Sequence, residues 1–176
     1  MKNILEQGYI QIYTGDGKGK TTASLGVVLR ILGNGGKVFY AQFIKGKKSS
    51  EFIPLEKFSD TFTHRMFGTG RFIRSTPSPE DLNIAENGLN ECRDALSSGN
   101  YDLIVLDELN GALQCGVLQL SEVIETVKMR HSHTELIITG RNAHPELVEI
   151  ADLVSEIIPV KHYFEKGVIS RNGIEQ

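Results

Sequence analysis

Five short runs of apolar, β-branched or aromatic residues recur along the chain: Tyr9–Thr14, Lys37–Ile44, Thr61–Phe67, Tyr101–Asp107 and Glu135–Gly140. Each has the length and side-chain chemistry of a strand, and a weaker sixth run covers Leu153–Val160. Between them the apolar positions switch to a helical period over Thr22–Leu32, Pro79–Leu96, Ser121–Arg130 and Pro145–Ile150. Ser78 followed by Pro79, Glu80 and Asp81 marks a helix start, since a hydroxyl, a proline and acids there suit the orphan amides and the helix dipole. His144-Pro145-Glu146 repeats the signal more weakly, and Gly33-Asn34-Gly35-Gly36 supplies a stop and a tight turn.

Strands alternating with helices imply right-handed crossovers and an α/β fold, a mainly parallel sheet flanked by helices. Ligands of such sheets bind beyond the carboxyl ends of the strands. The irregular stretches Lys45–Ser50 and Gly68–Ser78 both follow strands and are therefore candidate substrate loops. With 176 residues and no repeat or linker, the expectation is one domain over 1–176.

A net charge of −3 with 23% charged residues offers no excess of positive charge for a nucleic-acid partner. No run approaches a membrane span, and the opening residues lack an apolar targeting segment, so the expected location is the cytoplasm, with no membrane partner. Cys92 and Cys115 stand apart and read as reduced packing residues rather than a metal or disulfide framework. The five histidines show no metal-ligand spacing.

The strongest motif is Thr14-Gly15-Asp16-Gly17-Lys18-Gly19-Lys20-Thr21-Thr22, set between a strand and a helix. Glycines there let successive amides turn inward around phosphate oxygens, and the helix start adds positive potential. Lys20 can reach a polyphosphate, and the Thr21 hydroxyl can ligate Mg²⁺. The first glycine of the usual pattern falls on Thr14, beside Gly15, which implies a modified turn. Asp107 and Glu108 end an apolar strand and can complete the metal shell, directly or through waters.

These segments, together with AQFIKG, VLDELN, ITGRNAHPELVEIADLVSEI and PVKHYFEKGV, resemble the P-loop ATP:corrinoid adenosyltransferases in order and over nearly the whole chain. The resemblance implies a RecA-like P-loop NTPase fold, usually a homodimer, with ATP lying reversed in the loop. Cobalt(I) of a reduced corrinoid attacks the ribose C5′ and triphosphate leaves, so ATP with Mg²⁺, a corrinoid and an electron donor are the implied partners. Lys20 would stabilise the departing charge, Lys18 would contact phosphate, and Glu108 is the acid favoured for magnesium beside Asp107 and Thr21.

Asn110 suits either a water or phosphate contact or a helix cap, and Arg141 either the nucleotide or a surface ion pair. Where the family carries a G-F-T-W-type stretch, this chain has Gly70-Arg71-Phe72-Ile73-Arg74 and no tryptophan. Phe72 is the remaining candidate for the wedge that keeps the lower axial base off cobalt, or else a packing residue. The alternatives to an adenosyltransferase are a RecA-like NTPase or small-molecule kinase, yielding ADP, and a nucleotide-dependent corrinoid carrier that performs no transfer.

Overall fold

A computed structural model describes residues 4–71, 73 and 76–175. In chain order it forms β1 (Ile10–Thr14), α1 (Lys20–Gly33), β2 (Val38–Phe43), 3-10 turns at Ser50–Phe52 and Pro54–Phe58, and β3 (Phe62–Phe67). There follow α2 (Pro79–Ser98), β4 (Leu103–Asp107), α3 (Leu109–Gln114), α4 (Leu120–Lys128), β5 (Glu135–Thr139), α5 (Pro145–Ile150), β6 (Leu153–Glu156) and a last 3-10 turn, Tyr163–Lys166. The strands join in the order β3-β2-β4-β5-β1-β6, every pair parallel. Their carboxyl ends therefore share one edge, which brings the ends of β1, β2, β4 and β5 together although up to about 125 residues of chain separate them.

Alternate side chains of the inner strands feed two cores, as the period of two along a strand requires. Tyr13, Val38, Tyr40, Val105 and Ile137 pack with Val28 and Leu32 of α1 on one face. Ile12, Phe39, Phe43, Leu106 and Leu136 pack with Leu89, Cys92 and Leu96 of α2 and Val123 of α4 on the other. Burial on both faces explains why β2, apart from Gln42, and β4, up to Asp107, read as apolar runs.

The start of α2 follows its sequence signal: Ser78 accepts from the Asp81 amide, Asp81 returns the bond to the Ser78 backbone, and Pro79 opens the helix. Three of the departures from the expected boundaries bear on the site. The first helix begins at Lys20, two residues early, so the end of the glycine-rich motif forms its first turn. A short helix, α3, follows β4 immediately, because Glu108 takes a left-handed backbone (φ 59°) that turns the chain out of the sheet. The sixth strand stops at Glu156 rather than Val160, and all four of its residues are exposed, since it forms an edge paired only with β1.

Candidate functional site

The loop from Gly15 to Gly19 leaves β1 and enters α1 under constraints that only some residues meet. Gly15 takes φ 93°, and a Cβ there would lie 2.5 Å from the Ile157 carbonyl oxygen. The turn demanded by the motif's first glycine thus falls one position later, which frees Thr14 to keep its side chain: Thr14 Oγ1 accepts from the Ala143 amide at 3.2 Å. Gly17 also packs on Ile157, its amide donating to the Ile157 carbonyl at 2.7 Å and leaving no room for a Cβ. The Gly17 amide is spent on this contact. Anion recognition therefore falls to the rest of the loop and to the first turn of α1, whose amides have no partners within the helix and where no side chain caps them.

Lys20 lies inside the curve of the loop, buried, its ammonium donating to the carbonyls of Gly15 at 2.6 Å and Gly17 at 2.8 Å. Burial lowers its pKa, and the negative charge of Glu108 opposes that shift. A phosphate offers this cation a charged acceptor in place of two neutral carbonyls, a stronger bond. Lys18, Asp16 and Thr22 are exposed around the loop.

The end of β4 supplies the acidic side of the site. Asp107 is fully buried, and its two oxygens take four donors: Thr21 Oγ1 at 2.9 Å and Thr139 Oγ1 at 2.7 Å on Oδ1, Gln42 Nε2 at 2.9 Å and Lys45 Nζ at 3.2 Å on Oδ2. Four donors, one of them charged, compensate a carboxylate that would otherwise be costly to bury. They also occupy its lone pairs, so Asp107 acts on the site by orienting the Thr21 hydroxyl.

Glu108 lies at the mouth of this cluster, half-buried, its amide held by Thr139 Oγ1 at 3.0 Å. Burial, and then the charge of Asp107, push its carboxyl above the usual range, while Lys45, Lys20 and Arg141 pull it back. A left-handed backbone at a non-glycine residue costs on the order of 1 kcal/mol, and here it aims an acid at the P-loop side of the sheet.

Asn110 does not cap the helix, while its Oδ1 is buried without a hydrogen-bond partner, as the expected contact to a water would require. It is 1% exposed, Glu108 rather than Asn110 occupies the start of α3, and Asn110 Nδ2 donates to the Gly140 carbonyl at 3.3 Å. It ties α3 to the end of β5 from below the site. Arg141 forms the surface pair: its Nε lies 3.6 Å from Asp16 Oδ1, both side chains well exposed, on the rim of a cleft of about 480 Å³ that also meets His162 and Phe164. His162 Nδ1 accepts from the Phe164 amide at 3.1 Å, a local cap for the last turn. Phe72 lies outside the described residues.

The two irregular stretches expected to form substrate loops meet beside Lys45. A Cβ on Gly46 would lie 2.3 Å from the Gly70 amide nitrogen, and one on Gly68 2.5 Å from the Ile44 carbonyl carbon, so the loops pack backbone against backbone. A small hollow of about 10 Å³ opens next to them, apolar at Ile44, Phe67, Ile73, Ala85 and Val117 and edged by Thr69, Arg71 and Asp81.

Sequence reasoning missed Gln42, Lys45, Thr139 and Ile157. Gln42 carried a legible signal, one amide inside an otherwise apolar strand, where burial demands a partner. Ile157 carried none, because it acts through its backbone.

A lysine- and threonine-bearing loop between β1 and α1, facing an acid at the end of β4 in a parallel sheet, defines a P-loop nucleotide-binding protein. The flagellar accessory protein FlaH from Methanocaldococcus jannaschii shares this fold at a TM-score of 0.60, with 14% identity, over 86% of this chain and 72% of its own. The model of the ATP:corrinoid adenosyltransferase family BtuR/CobO/CobP matches residues 6–176, and the chain belongs to that family. It is 35% identical to the corrinoid adenosyltransferase of Pseudomonas aeruginosa, over 97% of this chain and 84% of that one. To that of Escherichia coli it is 38% identical, over 97% and 86% respectively.

Proposed function

We propose that this protein is a transferase that moves the 5′-deoxyadenosyl group of ATP onto the cobalt(I) of a reduced corrinoid and releases triphosphate. The observation that carries the reading is the meeting of Lys20 and Thr21 with Asp107 and Glu108 beside the paired loops at Gly46 and Gly70. In the transfer, the electron pair of cobalt(I) forms the bond to C5′ while the C5′–O bond breaks and its electrons pass to triphosphate. No protein base is needed for that step. The chain's task is to hold the phosphates, orient C5′ toward the corrinoid and offset the growing anionic charge.

Lys20 and the first-turn amides of α1 act on the triphosphate. Lys18 lies exposed beside them, where it can add a phosphate contact. The donor set Thr21, Asp107 and Glu108 consists of hard oxygens, which suits Mg²⁺, and among the described residues no group of three acids, histidines or cysteines could hold a metal by itself. Magnesium therefore fits as a companion of ATP, with Thr21 and Glu108 as its protein contacts and Asp107 behind them. When bound, it supplies positive charge to the leaving triphosphate.

The corrinoid would lie over the loops Lys45–Ser50 and 68–78, near Ile44 and Phe67. Phe72 retains its proposed role as the wedge. A protein or small-molecule electron donor must reduce the cobalt first. No described helix is long and apolar enough to cross a membrane, and we assign the enzyme to the cytoplasm. The exposed apolar side chains Val154, Ile158, Val160, Phe164 and Ile169 support a homodimer through the C-terminal segment, to be checked by light scattering.

Anaerobic incubation with Mg·ATP and chemically reduced cobalamin tests the activity. Adenosylcobalamin and triphosphate in equal amounts are expected. ADP would instead assign attack at the γ-phosphate, and unchanged ATP would leave a binding protein.

A further inference from the structure

Behind Asp107 the polar row continues across two more strands. Tyr40 of β2 is in register with His64 of β3, which places His64 diagonal to Gln42 on the α1 face of the sheet. Gln42 is fully buried. Its Nε2 donates to Asp107 Oδ2 at 2.9 Å and its Oε1 lies 3.0 Å from His64 Nε2. The amide has two orientations of nearly equal shape, and only one is compatible with an acceptor at Asp107. With the NH₂ group turned to Asp107, the carbonyl faces His64 and requires a donor there, so the imidazole carries its proton on Nε2.

The ring of His64 is fixed by a second contact. It stacks on Phe52 with centroids 4.0 Å apart and an interplanar angle of 3°, and Phe52 is itself buried. Phe52 belongs to the 3-10 turn that follows the Lys45–Ser49 loop, the loop that also sends Lys45 to Asp107. Burial, and then the charges of Lys48 and Arg65, lower the His64 pKa to about 4, so the ring is a neutral single donor at neutral pH.

We propose that His64 is a positioning residue for the nucleotide site: its Nε2–H locks the Gln42 amide, Gln42 holds the Asp107 carboxylate, and Asp107 holds the Thr21 hydroxyl. The same ring, through Phe52, joins the nucleotide end of the site to the loop expected to receive the second substrate. The inference rests on the reading of Thr21 and Asp107 as the Mg·ATP end of the site.

The test measures Mg·ATP affinity by calorimetry without corrinoid, and the kinetics of adenosylation alongside. His64→Phe keeps a ring for Phe52 and removes the donor. It is expected to weaken Mg·ATP binding about tenfold, the usual effect of leaving one buried acceptor unpaired. The KM for the corrinoid should stay within about twofold, because its contacts are untouched. Gln42→Met is expected to cost more, and the double variant no more than Gln42→Met alone, since both changes interrupt one relay.

His64→Gln supplies an NH donor without the stack and should retain most of the Mg·ATP affinity. Losses that multiply in the double variant, or equal losses in His64→Phe and His64→Gln, would overturn the relay and leave His64 a packing residue. Nitrogen NMR of wild-type protein should find His64 neutral and protonated on Nε2, and a proton on Nδ1 would also overturn it. A protein that shows this tautomer and this coupling, yet makes no adenosylcobalamin, would retain the relay and lose the transfer reaction.

Discussion

The ends of β4 and β6 frame the same P-loop and do so by opposite means. At the end of β4 the work is done by side chains: Asp107 is sealed from solvent, collects donors from α1, β2, β5 and the loop after β2, and sets Glu108 beside Lys20. At the end of β6 it is done by backbone. Ile157 donates to the Thr14 carbonyl at 2.9 Å and accepts from the Gly17 amide at 2.7 Å, while the strand's own side chains face outward. The first arrangement ties chemistry to residue identity. The second fixes the shape of the loop and leaves sequence free, apart from the glycines that must let Ile157 approach.

Four substitutions sharpen this contrast, in order of expected effect. Lys20→Ala should lower adenosylation about 10²–10³-fold, the usual cost of removing one group that stabilises transition-state charge, with Tm little changed. Asp107→Ala should destabilise the fold by about 3 kcal/mol in denaturant titration, because it leaves the half-buried Lys45 and three neutral donors without their shared acceptor. Gly17→Ala should cost about 1–3 kcal/mol and loosen ATP binding, since its Cβ would stand 2.7 Å from the Ile157 oxygen. On β6, the strand that leads to Ile157, Ser155→Ala should change stability by less than about 0.5 kcal/mol. A large loss there would contradict the backbone account.

Glu108 tests the pH behaviour of the side-chain half. Its carboxyl titrates above the ordinary range, so the folded protein holds its proton more tightly than the unfolded chain does. Ionising it therefore weakens the fold as pH rises from the unfolded value through the folded one. Glu108→Gln should raise Tm at pH 7, a gain that disappears once both states are protonated at low pH. The same change should remove the acid limb of the pH–rate profile, if rate follows the ionised acid. A variant less stable at pH 7 would reverse the assigned sign.

Much of this was legible in the residues. Strand chemistry alternating with helical periods predicted the parallel sheet, and the signal at Ser78 located the first residue of α2. The glycine-rich motif and the acids ending β4 were visible as local chemistry, and the similarity of their neighbours to one transferase family gave them a reaction. Only the cap reading of Asn110 failed, because DELN looks like a helix start until Glu108 turns the backbone first and leaves Asn110 inside α3. The turn after β1 is a smaller instance: the left-handed position lies at Gly15, a detail that depends on how near Ile157 comes.

What the sequence determined by itself was local: which segments extend or coil, where a helix begins, and which side chains can hold phosphate and metal. Strand order was decided only in three dimensions, and with it the convergence of Gln42, Lys45, Asp107, Thr139 and Thr21 on one buried carboxylate. The physical reason is that periodicity and capping act over a few residues, whereas a buried charge is compensated by whichever donors the packing of distant strands brings within hydrogen-bond reach.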